Sequence, residues 1–331
     1  MNKIKKITRI LRLNEFNNLY NFFKFVYKKH IFSRNKHYFK WQYQAYKKNL
    51  NILVLKISGD IKGFQFFIPM NFFDKKLSEK EIFLTNFYCD PKIIGGGQII
   101  FKNLISLLKP DFIGTTGFKD IMINYHKKLG FKVGALEHYY LKKHMIKSKK
   151  FNNNYFSFIN KKDILSVNEK IFSFQTPTKS KKFIINRYIN HPIYNYFIYA
   201  DNKKKSIMIF REIKFQNRKI LKIIDFFGKS SCFASYKSLF YFLIVKKGYY
   251  SIDVYCHGIK KDILKKSGLK KTHKKEVIPE FYEPFINKNI KLNFGYLAKK
   301  DIKNIRLFKG DGDRDRPSII SLKQKTNLNF I

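Results

Sequence analysis

Three consecutive glycines, Gly95-Gly96-Gly97, stand between an apolar strand-like run at residues 82–88 and an apolar helix-like run at 99–108. Without side chains the backbone can turn sharply there, so the order strand, glycines, helix predicts a mixed α/β layer in which the helix packs back on the sheet it has just left. The same arrangement gathers several backbone N–H groups beside the positive end of a helix, a geometry suited to phosphate. A turn selected only for conformational freedom would show the same three letters. A Walker loop is excluded because no Gly-Lys-Ser/Thr follows, and the dinucleotide fingerprint because Gly97 is followed by Gln98 and Ile99.

Periodicity extends the pattern in both directions. A strand is expected at 4–11, a helix at 14–29 with Leu19, Phe22, Phe23 and Val26 at three- and four-residue spacings, and a hairpin of apolar strands at 51–58 and 64–70. Beyond the glycines, a strand at 111–115, a short helix at 121–129 stopped by Gly130 and a strand at 131–141 complete one mixed unit. The polar stretch 147–154 reads as a linker. The order then recurs, with hairpin strands at 196–201 and 206–212, a strand at 219–227 ending at Gly228, a helix at 235–247, a strand at 249–256, a short helix at 259–266 closed by Gly268 and a strand at 276–281. Lys127-Lys128-Leu129-Gly130-Phe131 and Lys265-Lys266-Ser267-Gly268-Leu269 hold equivalent places in the two halves. The expected fold is therefore α/β with mixed sheets, in two tandem domains spanning residues 1–150 and 151–331.

Composition narrows the partners. The 331 residues suffice for two domains, and 44% hydrophobic with 18% aromatic residues exclude disorder as the main state. Lys and Arg number 68 against 23 Asp and Glu, a net charge of +45 that alone would suggest nucleic acid or an anionic surface. The lysines are scattered through every segment, and the residues in excess, Lys, Asn, Ile, Phe and Tyr, share A/T-rich codons, so no nucleic-acid partner is expected. Cys89, Cys232 and Cys256 form no Cys-x-x-Cys pair, which encodes neither a disulfide framework nor a zinc knuckle and suits a reducing cytoplasm. The start lacks the marks of a signal peptide, and the longest apolar run, 239–245, falls short of the ~20 residues that span a bilayer, leaving at most a peripheral membrane contact.

Two motifs resemble the GNAT acyltransferases. In that family a strand runs into a phosphate loop of the form Arg/Gln-x-x-Gly-x-Gly/Ala that opens a helix, and a later short helix begins with Tyr and ends in Gly-Phe. The counterparts are Ile94-Gly95-Gly96-Gly97-Gln98-Ile99, with Ile94 where Arg or Gln is usual and Ile99 where a small residue is usual, and Tyr125-His126-Lys127-Lys128-Leu129-Gly130-Phe131. Phe39-Lys40-Trp41-Gln42-Tyr43, Gly63-Phe64 before Ile68-Pro69, Ile278-Pro279 with Phe281-Tyr282-Glu283-Pro284-Phe285, and Asp311-Gly312-Asp313-Arg314-Asp315-Arg316-Pro317 are similar to segments of the tandem GNAT-like proteins encoded among surface-polysaccharide genes.

The resemblance implies an acetyl-CoA (acyl-CoA) cofactor held by the amides of Gly95, Gly96, Gly97 and Gln98, with Lys92 and Lys102 balancing its phosphates. Tyr125 would protonate the departing thiolate, and a backbone N–H on the strand 82–88 would polarise the thioester. Asp90 and Glu81 flank that strand as the nearest candidate bases, with Glu283 and the tail aspartates further along the chain. In the second half the corresponding loop, Gly228-Lys229-Ser230-Ser231-Cys232-Phe233, has one glycine and is degenerate, so this half supplies substrate contacts, as the paired units of Fem-type aminoacyl transferases suggest. The implied acceptor is an amine on a sugar or nucleotide-sugar, with Trp41, Tyr43, Glu283, Asp311, Asp313 and Arg316 as candidate contacts. Trp41 suits a sugar ring or the core, and the alternating Asp and Arg suit internal ion pairs or a hydroxyl-rich ligand. Asp311, Asp313 and Asp315 do not form a calcium loop, because Arg316 and Leu322 stand where Gly and Glu are required, and no metal is expected. The competing readings are a binding protein that keeps the fold without turnover and, behind it, a basic nucleic-acid-binding protein.

Overall fold

Runs such as Ile52-Leu53-Val54-Leu55 and Ile207-Met208-Ile209-Phe210 lack polar alternation because each lies in a sheet covered on both faces. Ile52 and Val54 enter a core that both sheets share, whereas Leu53 and Leu55 enter a separate outer core; Ile207 and Ile209 face inward and Met208 and Phe210 outward in the same way. The computed structural model describes residues 6–44, 48–147, 155–273, 275–282 and 285–317.

The first sheet begins as an antiparallel meander of β1 (Lys6–Arg12), β2 (Asn49–Ile57), β3 (Asp60–Pro69) and β4 (Glu81–Cys89). Between β1 and β2 lie α1 (Phe16–Val26) and α2 (Lys36–Tyr43), which send Leu19, Phe23, Phe39 and Tyr43 into the shared core. The second helix forms over the aromatic run 38–43, with Asn35 capping its first turn by accepting from the Tyr38 N–H at 2.8 Å. From β4 the chain crosses through α3 (Gly96–Leu108) to β5 (Phe112–Phe118), which pairs parallel to β4. Ile100 and Leu104 of α3 are fully buried on the outer face, each contributing about 1.5–3 kcal/mol of apolar burial. Then α4 (Ile123–Lys128) leads to β6 (Lys132–Ala135).

The single strand expected at 131–141 is two strands. The chain breaks at buried Leu136, whose N–H donates to Leu292 O at 2.8 Å, and β7 (Glu137–Lys142) passes into the second sheet. After β8 (Phe156–Phe158), α5 (Lys161–Leu165) and α6 (Lys181–Ile184), the second sheet repeats the first: β9 (Tyr196–Asp201), β10 (Ser206–Phe215) and β11 (Arg218–Gly228) are antiparallel, and β12 (Ser251–His257) runs parallel to β11. A 3-10 stretch at Ser230–Tyr236 precedes α7 (Lys237–Val245), so the helix expected at 235–247 is shorter. After β12 come α8 (Lys261–Lys266) and β13 (Lys270–Lys271). The strand expected at 276–281 does not form; β14 (Asn293–Ala298) does, and it inserts between β5 and β6 of the first sheet. A last strand, β15 (Leu307–Phe308), pairs with β12.

The strand orders are β1-β2-β3-β4-β5-β14-β6 and β13-β7-β12-β11-β10-β9-β8. Each half thus lends one strand to the other's sheet. The boundary expected at residue 150 lies outside the described residues.

Candidate active site

A parallel pair stays together only while its ladder is made. β4 and β5 pair from Glu81↔Phe112 to Leu84↔Thr115, yet β4 runs on to Cys89 and β5 to Phe118, so the two strands part into a V-shaped notch at their C-terminal ends. A register shift against β3 between Gln65 and Phe67 bulges β4 at Thr85 and Asn86, where the divergence begins. Asp90 donates its N–H to Lys62 O on the β3 side at 2.8 Å. By strand alternation Phe87 and Cys89 therefore turn their N–H and C=O groups into the notch. The Phe87 carbonyl accepts from Tyr27 Oη at 2.6 Å, and its N–H faces the notch beside it.

The glycines sit at the rim. Gly95 has φ +72°, a left-handed conformation that favours glycine, and caps α3. A Cβ on Gly96 would collide with Cys89 Sγ, and one on Gly97 would come within 3.1 Å of the Phe87 ring and 3.5 Å of Tyr125 Oη. Close packing of the helix start on the end of β4 is thus what removes these side chains. The Gly96 N–H is used within the turn, donating to Ile93 O at 3.0 Å, while those of Gly97 and Gln98 in the first helical turn have no partner among the described residues. Asp90 Oδ1 accepts from the Lys92 N–H at 3.0 Å and shapes the same turn. Ile94 is 94% exposed and leaves the rim open, and Ile99 packs onto the core beneath α3. Lys92 and Lys102 are exposed, with no ion pair among the described residues.

Tyr125, on α4, brings its hydroxyl to this rim. Among the described residues the buried Oη has no hydrogen-bond partner, and burial, followed by the nearby Cys89 thiol, raises its pKa above the ordinary phenol value. Tyr125 Oη, Gly97 and the Phe87 ring come together at the end of β4. Glu81 lies at the far end of β4, where its carboxylate accepts from the Thr178 N–H at 2.8 Å.

On the opposite face of the first sheet the tail 311–317 runs between the two halves. Tyr43 is fully buried, sharing a 2.9 Å hydrogen bond with Thr85 Oγ1 and accepting from Asn86 Nδ2 at 3.1 Å. Asn86 Nδ2 also donates to Asp313 Oδ2 at 3.2 Å, and Arg316 Nη1 donates to the same oxygen at 3.0 Å. Tyr43 thus contacts the β4 bulge, and Asn86 links it to Asp313. Trp41 is half-buried, stacked on Tyr38 at 5.5 Å and edge-on to His191 at 4.7 Å, with the Arg187 guanidinium 5.7 Å from its ring. Asp311 is buried and pairs with Lys179 at 2.8 Å, while Asp315 pairs with Arg211 at 2.7 Å. The three tail aspartates thus go to different partners and share no cation-binding point. Glu283 lies outside the described residues.

The second sheet has the equivalent notch, and the chain fills it. β11 and β12 pair from Ile220↔Ser251 to Ile223↔Val254 and then part. Into that space come β15, paired at Cys256↔Phe308, and Gly310, whose N–H donates to Ile224 O of β11 at 2.8 Å. Arg306 Nη1 donates to the Gly228 carbonyl at 2.6 Å.

Tyr27, Asn86, Arg187 and Arg211 were not among the residues singled out by sequence. Tyr27 reads as one more aromatic on an amphipathic helix; for Asn86 the signal available is an amide side chain, beside Thr85, inside an otherwise apolar strand, Leu84-Thr85-Asn86-Phe87.

Splayed parallel strands, a glycine-started helix at the notch and a tyrosine from the following helix thus make up the site. No family model matches the chain, and no curated protein matches it in sequence. Solved structures do. A GCN5-related N-acetyltransferase from Anabaena variabilis superposes with a TM-score of 0.57 at 11% identity, covering 88% of this chain and 72% of that one. A conserved protein from Enterococcus faecalis gives 0.56 at 9% identity, with 88% and 72% covered. A GCN5-related N-acetyltransferase from Kribbella flavida gives 0.53 at 7% identity, with 88% and 71% covered. At these identities the likeness is one of fold.

Proposed function

We propose that the chain is an acyl-CoA-dependent N-acyltransferase with one working site, the notch between β4 and β5. The observation that carries this reading is the buried Tyr125 hydroxyl, without a partner among the described residues, beside Gly97 and the Phe87 ring at the splayed end of β4. The residues fit the coenzyme: glycines where a Cβ would fill the rim, free N–H groups on Gly97 and Gln98, and Lys92 and Lys102 exposed nearby for its phosphates. Coenzyme A when bound supplies the activated acyl thioester. The Phe87 N–H is placed to draw charge from the thioester carbonyl, and Tyr125, a neutral phenol at physiological pH, to give a proton to the departing sulfur. Tyr27 holds the Phe87 peptide in place through its carbonyl.

The acceptor in this reading is an amine on a sugar or nucleotide-sugar precursor of a surface polysaccharide, lying between halves 1–150 and 151–331 against Trp41, Asp313 and Arg316. The second half binds no coenzyme, because residues 307–310 take its notch. The three free cysteines suit the cytoplasm, and no helix among the described residues is long and apolar enough to cross a membrane. Coenzyme A at about 100 times its dissociation constant adds about 2.7 kcal/mol to stability, a rise of several degrees in melting temperature. No rise at millimolar coenzyme would overturn the reading.

A further inference from the structure

The acyl-transfer reading does not say which amines are taken, and the charges around the tail bear on that. Arg187 is almost wholly buried, yet both ends of its fork meet neutral oxygens, Gln42 Oε1 at 2.9 Å and the Gly312 carbonyl at 2.8 Å. Arg314 is buried, and among the described residues its Nε has no partner and its one carboxylate contact is a long 3.5 Å to Glu280 Oε1, an oxygen that Lys309 already holds at 2.8 Å. Arg316 spends Nη1 on Asp313, while 34% of its side chain stays open to solvent. Asp313 Oδ2 serves both Arg316 and Asn86. His30 adds a donor nearby: its Nδ1 accepts the Phe32 N–H at 3.2 Å, which leaves the proton on Nε2, and that atom is buried without a partner. Burial, then the Arg316 charge, holds the His30 pKa down at about 2, so the ring stays neutral. Underpaired guanidinium groups are costly to bury and are satisfied best by a carboxylate or phosphate that accepts two parallel hydrogen bonds.

We propose that Arg316, backed by Arg187 and Arg314, binds an anionic group of the acceptor, a phosphate or a carboxylate, so that the favoured amine is an anionic amino sugar and not a neutral one. The placement follows the chain: Arg316 meets Asp313, Asp313 meets Asn86, and Asn86 precedes Phe87, whose N–H opens into the notch. The proposal rests on the acyl-transfer reading for the role of the amine, but its test does not depend on turnover.

The test is calorimetric binding to the full chain, with coenzyme A saturating, of glucosamine, glucosamine 6-phosphate and muramic acid. At least one anionic sugar is expected to bind about tenfold or more tightly than glucosamine, and the two anionic arms separate phosphate from carboxylate recognition. Arg316→Gln is expected to abolish the preference, Arg316→Lys to restore part of it, and Lys203→Gln, which removes the same charge from the exposed β9–β10 turn, to leave it intact. In the unaltered chain inorganic phosphate is expected to compete with the anionic sugars, a readout that needs no variant. Equal affinity for the three sugars, no binding of any, a preference that survives Arg316→Gln, or no competition by phosphate would overturn the proposal. A coenzyme-induced melting shift without sugar preference would sink this inference and leave acyl transfer standing.

Discussion

Replacing Tyr125 by phenylalanine is expected to lower the rate of acyl transfer by about 10²–10⁴-fold, the usual worth of a positioned general acid, while leaving the affinity for coenzyme A unchanged. The substitution removes one oxygen that has no partner among the described residues, so no hydrogen bond among them is lost. The ring itself is kept, so its edge-on contact with His126 at 5.9 Å is retained. Single-turnover rates and coenzyme titrations on the two proteins give the comparison. Unchanged rates would show that sulfur is protonated by another group, and no turnover in either protein would favour a binding protein without catalysis.

Arg211→Met is expected to destabilise the fold by about 3–5 kcal/mol, read from denaturant unfolding, because it strands a buried carboxylate. Asp315 accepts from Arg211 Nη2 at 2.7 Å and Nε at 2.9 Å; without them it keeps the Tyr196 hydroxyl at 2.9 Å and Lys309 at 3.6 Å. Acid provides a second readout. Burial pushes the Asp315 pKa up, but Arg211 and Lys309 outweigh it and hold the carboxyl well below the usual range. A carboxyl depressed in the folded state adds stability above its unfolded pKa of about 3.9 and loses it as the pH falls toward the folded value. The parent should therefore weaken steeply below about pH 4, and the variant less steeply. Equal stability and equal acid profiles would mean that this pair does not hold the tail.

Local pattern carried much of the architecture. The hairpin β2–β3, the strand β4, the glycine start of α3 and the recurrence of strand, helix, strand in the second half are all written in neighbouring residues, where periodicity acts. The exchange of β7 and β14 is not. Residues 131–141 look like one strand because nothing local interrupts them; the break at Leu136 exists because β14, more than 150 positions later, takes the place beside β6. The strand expected at 276–281 fails for a related reason: Asn289 ties this stretch into a loop, accepting from the Ile278 N–H at 2.9 Å and donating to Glu276 O at 2.8 Å.

The candidate site divides along the same line. Gly95 to Gly97 and Tyr125 belong to short motifs and were visible; the parts that complete the notch, Tyr27 on the Phe87 carbonyl and Asn86 between Tyr43 and Asp313, depend on contacts across tens to hundreds of residues. The tail shows this most plainly. Its alternating Asp and Arg suggested ion pairs, and ion pairs form, but their partners Lys179 and Arg211 had no local mark.

Calorimetric titration of the full chain with coenzyme A tests the central claim most directly. Two notches arise from the repeated sheet, one open at β4 and β5 and one closed by residues 307–310, so the titration should saturate at one coenzyme per chain. Saturation at two per chain, or no heat of binding at millimolar coenzyme, would contradict it.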